Sequence, residues 1–374
     1  MKKNNLRHIK VLFITGRFGV GGKERQMTEI MSALPANYEM YFLVREGDAY
    51  YKDKIAKRLK GFYSLQRSNF GPGDFFKIFK IINEIDPDVL FIWSNIASHL
   101  CLLIKVFTGK KFLLINSSIR NAPVRRSLWQ ILESYFYNLY PYVVSNSEAG
   151  LKAYNQLGKP GRYIMPNGID LSRFPLAERP RQKNKLDVTD EFVVSMAARM
   201  EKAKDYSSLI KAARICINRD KSIVFYLAGD GHLRPNLERE AKDMGLEAKV
   251  KFLGEQKDIE NLFLGSDISV LLSTNGESLS NSVLESMAAG VPVLASDFPG
   301  NRQVIRDGYT GYLIKGNQPE LLAEKILELK IKPNLRQSMS QNCRLLVEKD
   351  FSLMKTVDIF EQIIGQVLDN GKNK

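Results

Sequence analysis

Histidine, cysteine and tryptophan are scarce in this chain of 374 residues, which holds three, three and two of them. His8, His99 and His232 fall in no HExxH-type pair, and Cys101, Cys216 and Cys343 lie far apart with no CxxC among them. Those spacings exclude the familiar zinc and redox motifs and a disulfide framework, so no metal and no cofactor is expected. Isolated thiols in apolar, helix-like surroundings fit a reduced compartment, and a cytoplasmic protein is expected. Long apolar runs are missing as well. Stretches such as Val89–Trp93 are too short and interrupted for a transmembrane helix. Lys2-Lys3 ahead of Ile9–Thr15 imitate a signal peptide, but Gly16-Arg17 follows with no small-residue cleavage site. A buried first strand is the better reading.

Acid is scarce in one half of the chain only. Residues 1–170 carry 25 Lys and Arg against 13 Asp and Glu, a net +12 of the chain's +14. Between Val89 and Ser147 the single acid is Glu133, against Lys105, Lys110, Lys111, Arg120, Arg125 and Arg126. Such asymmetry points to an anionic partner for the first half: membrane lipid, a lipid phosphate or nucleic acid.

What is present in quantity is alternation. Ile9–Thr15, Met40–Val44, Val89–Trp93, Phe112–Ile115 and Tyr142–Asn146 read as strands, nearly all apolar, as in a parallel sheet covered on both faces. Helical spacing fills the gaps, as at Met27, Ile30, Met31 and Leu34, and Asp74 after Gly71-Pro72-Gly73 is the expected N-cap of a helix to Ile85. A polar, turn-rich stretch from Asn167 to Asp190 then interrupts the pattern. It restarts with strands Phe192–Ala198, Ile223–Ala228, Val250–Leu253, Ile268–Leu272 and Val291–Ala295, and helices around Leu209–Ile217, Asn236–Met244 and Asn281–Ala289. Two successive βα arrays predict an α/β protein of two doubly wound, Rossmann-like domains, with ligands in a cleft between them at the carboxyl ends of strands.

Several short patterns carry chemistry. The first strand runs into Gly16-Arg17-Phe18-Gly19-Val20-Gly21-Gly22-Lys23-Glu24, where glycines let N–H groups approach a phosphate. The loop is neither a P-loop nor a good dinucleotide fingerprint, because Glu24 stands where Ser/Thr or the third glycine would be. In the second half Arg199 closes a strand and Lys204 follows five residues later, a pair able to hold a diphosphate by a planar fork and a point charge. Glu277, expected on a loop, and Glu285, expected in the next helix, suit vicinal hydroxyls of a ribose or pyranose. Ser280, Asn281 and Ser282 offer N–H groups at that helix N-terminus.

In order along the chain, Gly21-Gly22 before Glu24, Asn167-Gly168-Ile169-Asp170, Arg199/Lys204, Gly229-Asp230-Gly231, Phe252-Leu253-Gly254-Glu255, Glu277 to Glu285 and Met287–Val293 resemble family 4 of the retaining GT-B glycosyltransferases. The resemblance is dense from about Val143 to Leu313. It implies two Rossmann-like domains facing each other across a cleft: 1–170 for the acceptor and 171–350 for a nucleotide-sugar donor. Residues 351–370 would form a helix returning to the first domain. It implies catalytic roles for Glu277, at the transferred sugar, and for Arg199 and Lys204, at the diphosphate. Glu285 would hold the ribose, Ser280 and Asn281 would line the donor, the Phe252–Glu255 loop, with Gly254 and Glu255, would face the base, and Gly21-Gly22 would close over the donor. No metal is required. The expected reaction moves a sugar, from a UDP-sugar, to a glycan acceptor with retention.

Two positions depart from the family pattern. Asn116-Ser117-Ser118-Ile119-Arg120 stands where many members carry a His, and Ser278 follows the first glutamate where glycine is common. The basic first half, with Arg120, Arg125 and Arg126 leading into Trp129, Leu132, Tyr135 and Phe136, suits docking on an anionic bilayer. A lipid-linked glycan acceptor in cell-surface polysaccharide biosynthesis, and a peripheral enzyme at the inner face of the membrane, are therefore expected; no nucleic acid is. Alternatives in view are a nucleotide-sugar 2-epimerase of the same fold and a basic nucleic-acid binder. An NAD-dependent enzyme is weakened by Glu24.

Overall fold

The computed structural model describes residues 8–19, 21–47, 51–66, 71–179, 182, 188, 190–316 and 318–372. The Lys2-Lys3 opening, Val20 of the glycine loop and Pro180 lie outside the described residues. The chain divides into two compact units. One gathers Met1–Ala122, Arg126–Gly168 and Leu353–Lys374; the other holds Pro123–Arg125 and Ile169–Ser352.

In the first unit the strands are β1 (Ile9–Phe18), β2 (Tyr38–Gly47), β3 (Leu59–Ser64), β4 (Val89–Ile92), β5 (Leu113–Ile119), β6 (Tyr142–Ser145) and β7 (Arg162–Ile164). They form one sheet in the order β3-β2-β1-β4-β5-β6-β7, and each recorded pairing is parallel. The helices are α1 (Gly22–Ala33), α2 (Lys52–Ala56), α3 (Pro72–Ile85), α4 (Asn95–Thr108), α5 (Leu128–Phe136) and α6 (Glu148–Ala153), with α13 (Leu353–Lys372) from the chain's end. Alternation along β1 shows why both faces are covered. Val11 and Phe13 join a core with Met27 and Ile30 of α1 and Phe360 of α13, while Leu12 and Ile14 join one with Ile78 and Ile82 of α3 and Ile104 of α4. Phe360 stacks on Phe13 at 6.0 Å between ring centres and lies 5.1 Å from Phe91.

The second unit repeats the plan. Its strands are β8 (Phe192–Ala197), β9 (Ile223–Ala228), β10 (Val250–Gly254), β11 (Ile268–Leu271), β12 (Val293–Ser296) and β13 (Gly311–Ile314), ordered β10-β9-β8-β11-β12-β13. Around them lie α7 (Tyr206–Arg219), α8 (Arg234–Asp243), α9 (Ile259–Leu264), α10 (Asn281–Ala288), α11 (Pro319–Ile331) and α12 (Pro333–Asp350). In both sheets the chain turns back at one place, between β1 and β4 in the first and between β8 and β11 in the second. Connections from those two strands leave in opposite directions there, which opens a crevice at their carboxyl ends.

Some local expectations need correcting. Asp74 is not the cap of α3; Gly71 is, with Pro72 inside the first turn and Asp74 accepting the Gly71 N–H at 2.8 Å. Strand β1 runs on through Gly16-Arg17-Phe18, because Phe18 buries its ring against Phe42 at 4.9 Å. Phe252 to Gly254 lie within β10 rather than on a loop. Three strands were not anticipated. β3 and β7 are edge strands with half-exposed residues, and β13 is only four residues long.

Candidate active site

At the switch point of the second sheet, β8 and β11 end side by side. After β8 the chain passes Arg199 and reaches Lys204, whose main chain bridges Ser273, just past the end of β11. The Asp205 N–H donates to the Leu272 carbonyl at 3.1 Å and the Thr274 N–H to that of Ala203 at 3.0 Å, so two loops from adjacent strands are sewn together. Asp205 then caps α7 by accepting the Ser208 N–H at 3.1 Å. The result aims Lys204 at a carboxylate: its Nζ forms an ion pair with Glu277 Oε1 and lies 3.3 Å from Ser273 Oγ, which donates to the same Oε1. Gly300 fixes the other side of this loop. Any Cβ there would collide with the main-chain carbonyls of Glu277 and Ser278, so the turn after β12 presses directly on the residue that carries the carboxylate.

The expected Arg199/Lys204 pair is not closed up in this structure. Arg199 points outward, its side chain 81% exposed, and meets Glu201 at 3.2 Å. Its loop is nonetheless firmly placed. Tyr206 donates its hydroxyl to the Ala198 carbonyl at 2.6 Å, and Gly229, at φ +122°, sits so near that carbonyl that a side chain would strike it.

Glu285 proves more enclosed than the sequence suggests. On α10 its side chain is only 5% exposed and pairs with Arg173 Nη2 at 3.2 Å, while the same nitrogen lies 3.0 Å from Glu260 at the start of α9. Sequence reasoning missed Arg173 and Glu260. The one signal was the arginine three residues after Asn167-Gly168-Ile169-Asp170, a segment held to the second unit from Ile169 onward. Ser280 is the N-cap of α10 in extended conformation, and its side chain makes no capping hydrogen bond among the described residues. The first turn of the helix begins at Asn281, at the positive end of its dipole, where anions are favoured. Gly254 closes β10 at φ +68° and accepts the Gly229 N–H at 2.7 Å; Glu255 follows it, exposed.

In the first unit, Gly21 is the extended N-cap of α1 and Gly22 its first residue. Arg120, expected on a membrane-facing surface, is instead tucked inward. Its guanidinium lies 4.8 Å over the Trp93 ring and donates to Asn167 Oδ1 at 2.9 Å. Arg125 is likewise not part of a membrane-facing helix. It clusters with the second unit, its N–H on Asn275 Oδ1 at 2.8 Å and its carbonyl accepting from Asn275 Nδ2 at 2.9 Å. Arg126 reaches the Ala153 carbonyl at 3.1 Å and Ser134 Oγ at 3.3 Å.

Trp129 does lie at the surface, on a helix that is inside out. α5 buries Glu133 and Ser134 and exposes Leu128 (74%), Trp129 (58%) and Tyr135 (69%), with Ile131 and Leu132 also exposed. Beneath it Asn95 donates to Glu133 at 2.7 Å, and burial raises the Glu133 carboxyl above its usual range. α4 adds exposed Leu103, Val106 and Phe107, the last at 76%, and joins α5 where the His99 ring meets Phe136 at 5.2 Å. No helix among the described residues is long and apolar enough to cross a membrane.

Two doubly wound parallel sheets, one with paired lysine and glutamate at its switch point, give the chain the GT-B fold. Residues 178–345 match the family model for glycosyl transferases group 1, and residues 20–173 match that for glycosyltransferase family 4. The chain belongs to that family. Its relatives include the lipopolysaccharide core biosynthesis glycosyltransferase LpsE of Rhizobium meliloti, 26% identical over 92% of this chain and 96% of that one. Another, from Escherichia coli, is the UDP-Gal:alpha-D-GlcNAc-diphosphoundecaprenol alpha-1,3-galactosyltransferase, 29% identical over 55% of this chain and 54% of the relative. That match spans about half the length of the relative. Among solved structures, Anabaena HepE in complex with UDP-glucose superposes with a TM-score of 0.83 at 21% identity, covering 96% of this chain and 99% of that one.

Proposed function

We propose that the protein is a retaining, metal-independent glycosyltransferase that moves a sugar from a UDP-sugar to a lipid-linked glycan in cell-surface polysaccharide biosynthesis. The observation that carries this reading is the Lys204–Glu277–Ser273 cluster at the switch point of the second sheet, one loop away from the N-terminus of α10. Lys204, Arg199 and the N–H groups at Asn281 would stabilise charge on the departing diphosphate. Glu277 would accept hydrogen bonds from the transferred sugar near its anomeric carbon, and Glu285, steadied by Arg173, would accept from the ribose. The bond from the anomeric carbon to the diphosphate breaks through an oxocarbenium-like state, and the acceptor oxygen bonds that carbon on the same face. The acceptor's proton passes to the departing phosphate oxygen. A UDP-sugar appears in the names of the Escherichia coli relative and of the HepE complex, and a diphosphoundecaprenol-linked acceptor in that of the former, which supports the choice of donor and acceptor class.

The inside-out α5 supports a membrane-borne acceptor. The apolar face of α4 adjoins it, and α4 carries Lys105 and runs on to Lys110 and Lys111, in a half of the chain that carries +12. An apolar face rimmed by cations suits the headgroup region of an anionic bilayer at the inner face of the cell membrane. The donor reading is tested by thermal unfolding with UDP, GDP and ADP. UDP at a hundred times its Kd should stabilise the fold by about 2.7 kcal/mol. Absence of a shift with every nucleotide would contradict it.

A further inference from the structure

The donor chemistry set out above does not draw on Arg120, which sits at the carboxyl end of the first sheet, beside its switch point. Trp93, which it covers, directly follows β4, and its own strand β5 ends one residue before it. Its recorded partners are neutral: Asn167 Oδ1 at 2.9 Å and Ser117 Oγ at 3.5 Å. Ser117 is itself held by the Trp93 indole N–H at 2.6 Å, so the group under the guanidinium is braced. The Arg120 Nε–H is buried and meets no acceptor among the described residues.

Two other enclosed arginines behave differently. Arg179 donates to the carbonyls of Ala289, Gly290 and Ser266, each at 2.8 Å, and Arg162 donates to those of Tyr137, Tyr140 and Pro160 at 3.0 to 3.2 Å. Those guanidinium groups clamp the main chain and are saturated by it. Arg120 clamps no carbonyl, and no carboxylate lies within 4 Å of it among the described residues. Glu24 is the acid whose field reaches it, but that carboxylate folds back over Gly21 and lies 3.6 Å from Lys23. Burial pushes the guanidinium down to about 10, which leaves it charged at neutral pH. A half-buried cation with an enclosed Nε, held in place by neutral groups and with donors to spare, is suited to an anion.

We propose that Arg120, stacked on Trp93 and oriented by Asn167 and Ser117, binds a phosphate group in the first unit. Its planar fork offers paired N–H donors matched to two phosphate oxygens. The transferase reading supplies two sources, the diphosphate of the donor and the diphosphate that links a glycan to its lipid. The inference rests on that reading only for these sources.

The chain's two tryptophans make the test direct, because Trp129→Phe leaves Trp93 as the single indole. That protein is titrated with inorganic diphosphate, UDP and farnesyl diphosphate while emission is followed. The proposal expects a saturable change with inorganic diphosphate that persists when Lys204→Ala is added. It expects the apparent affinity to fall about tenfold or more with Arg120→Gln and less with Arg120→Lys, which keeps the charge and loses the fork. A response to UDP assigns the phosphate to the donor, and a response to farnesyl diphosphate alone assigns it to the acceptor. No saturable change with any of the three, or equal titrations with and without Arg120 in proteins of unaltered circular dichroism, overturns the site. Absence of transfer activity in the unaltered protein, with the Trp93 response intact, would instead count against the transferase reading alone.

Discussion

Arg173 Nη2 stands 3.2 Å from Glu285 and 3.0 Å from Glu260, so one guanidinium joins the start of α9 to the carboxylate proposed to hold ribose. Glu285 is almost fully enclosed, and a carboxylate so placed is held in one rotamer by its partner. Arg173→Leu should therefore raise the KM for donor about tenfold while kcat changes less, and should lower unfolding stability by roughly 1–3 kcal/mol through loss of the cation between the two acids. Arg173→Lys should recover most of the stability. Steady-state kinetics beside denaturant unfolding checks both; a donor KM unchanged in Arg173→Leu would remove Arg173 from the site.

Lys204 and Arg199 were read from the sequence as one pair, but their surroundings differ. Lys204 is fixed against Glu277 and Ser273, whereas Arg199 is exposed and meets Glu201 at the surface. Lys204→Ala should lower kcat by about 10²-fold or more, as loss of a preorganised donor to developing charge does. Arg199→Ala should chiefly weaken donor binding. Glu277→Gln keeps the shape and removes the charge, and should lower kcat with little change in UDP affinity. Equal, small effects of all three on kcat would contradict the assignment.

Membrane docking has its own readout. Replacing Trp129 and Tyr135 by Ser removes exposed apolar surface and should make the protein more soluble while weakening co-sedimentation with anionic vesicles. Lys110→Glu with Lys111→Glu should weaken it further, by about 1 kcal/mol per lysine removed, and increasingly so at low salt. Binding that is indifferent to both pairs would place the contact elsewhere.

Acid sensitivity of the second unit follows from two carboxylates. Asp220 is drawn down to about 2 by its bond to Lys330, with Ser222 adding to it, and Glu328 to about 2 by Lys325 and then Lys332. Folded values below the unfolded ones mean that the unfolded chain binds protons first. The stabilisation is complete above about pH 5 and is lost as pH falls toward 2. Asp220→Asn and Glu328→Gln should lower stability at pH 7 and flatten its decline below pH 5. Both groups are near the surface, so salt should shrink the effect.

How legible this protein was in its sequence differs between strands and side chains. Buried strands such as Val89–Ile92 and Ile223–Ala228 announced themselves as unbroken apolar runs, because both their faces lie under helices. Leu59–Ser64 and Arg162–Ile164, at sheet edges, carry polar residues on open faces and left no such mark. Lys204, Glu277 and Glu285 were found because their spacing about α7 and α10 is local in the chain. Arg173's partnership with Glu285 spans more than a hundred residues and only the folded sheet creates it. The amphipathic pattern of α5 was legible, but not which side it buries; that its polar side faces inward depends on Asn95, which waits beneath to bond Glu133.

The central claim is tested most directly by the stereochemistry of transfer. The protein is incubated with a panel of UDP-sugars and an undecaprenyl-diphosphate-linked saccharide in anionic vesicles, and the new linkage is read by NMR. The account predicts transfer from one UDP-sugar with the α configuration of the donor kept, abolished by Lys204→Ala. A β linkage, or sugar released without any glycan product, would contradict it.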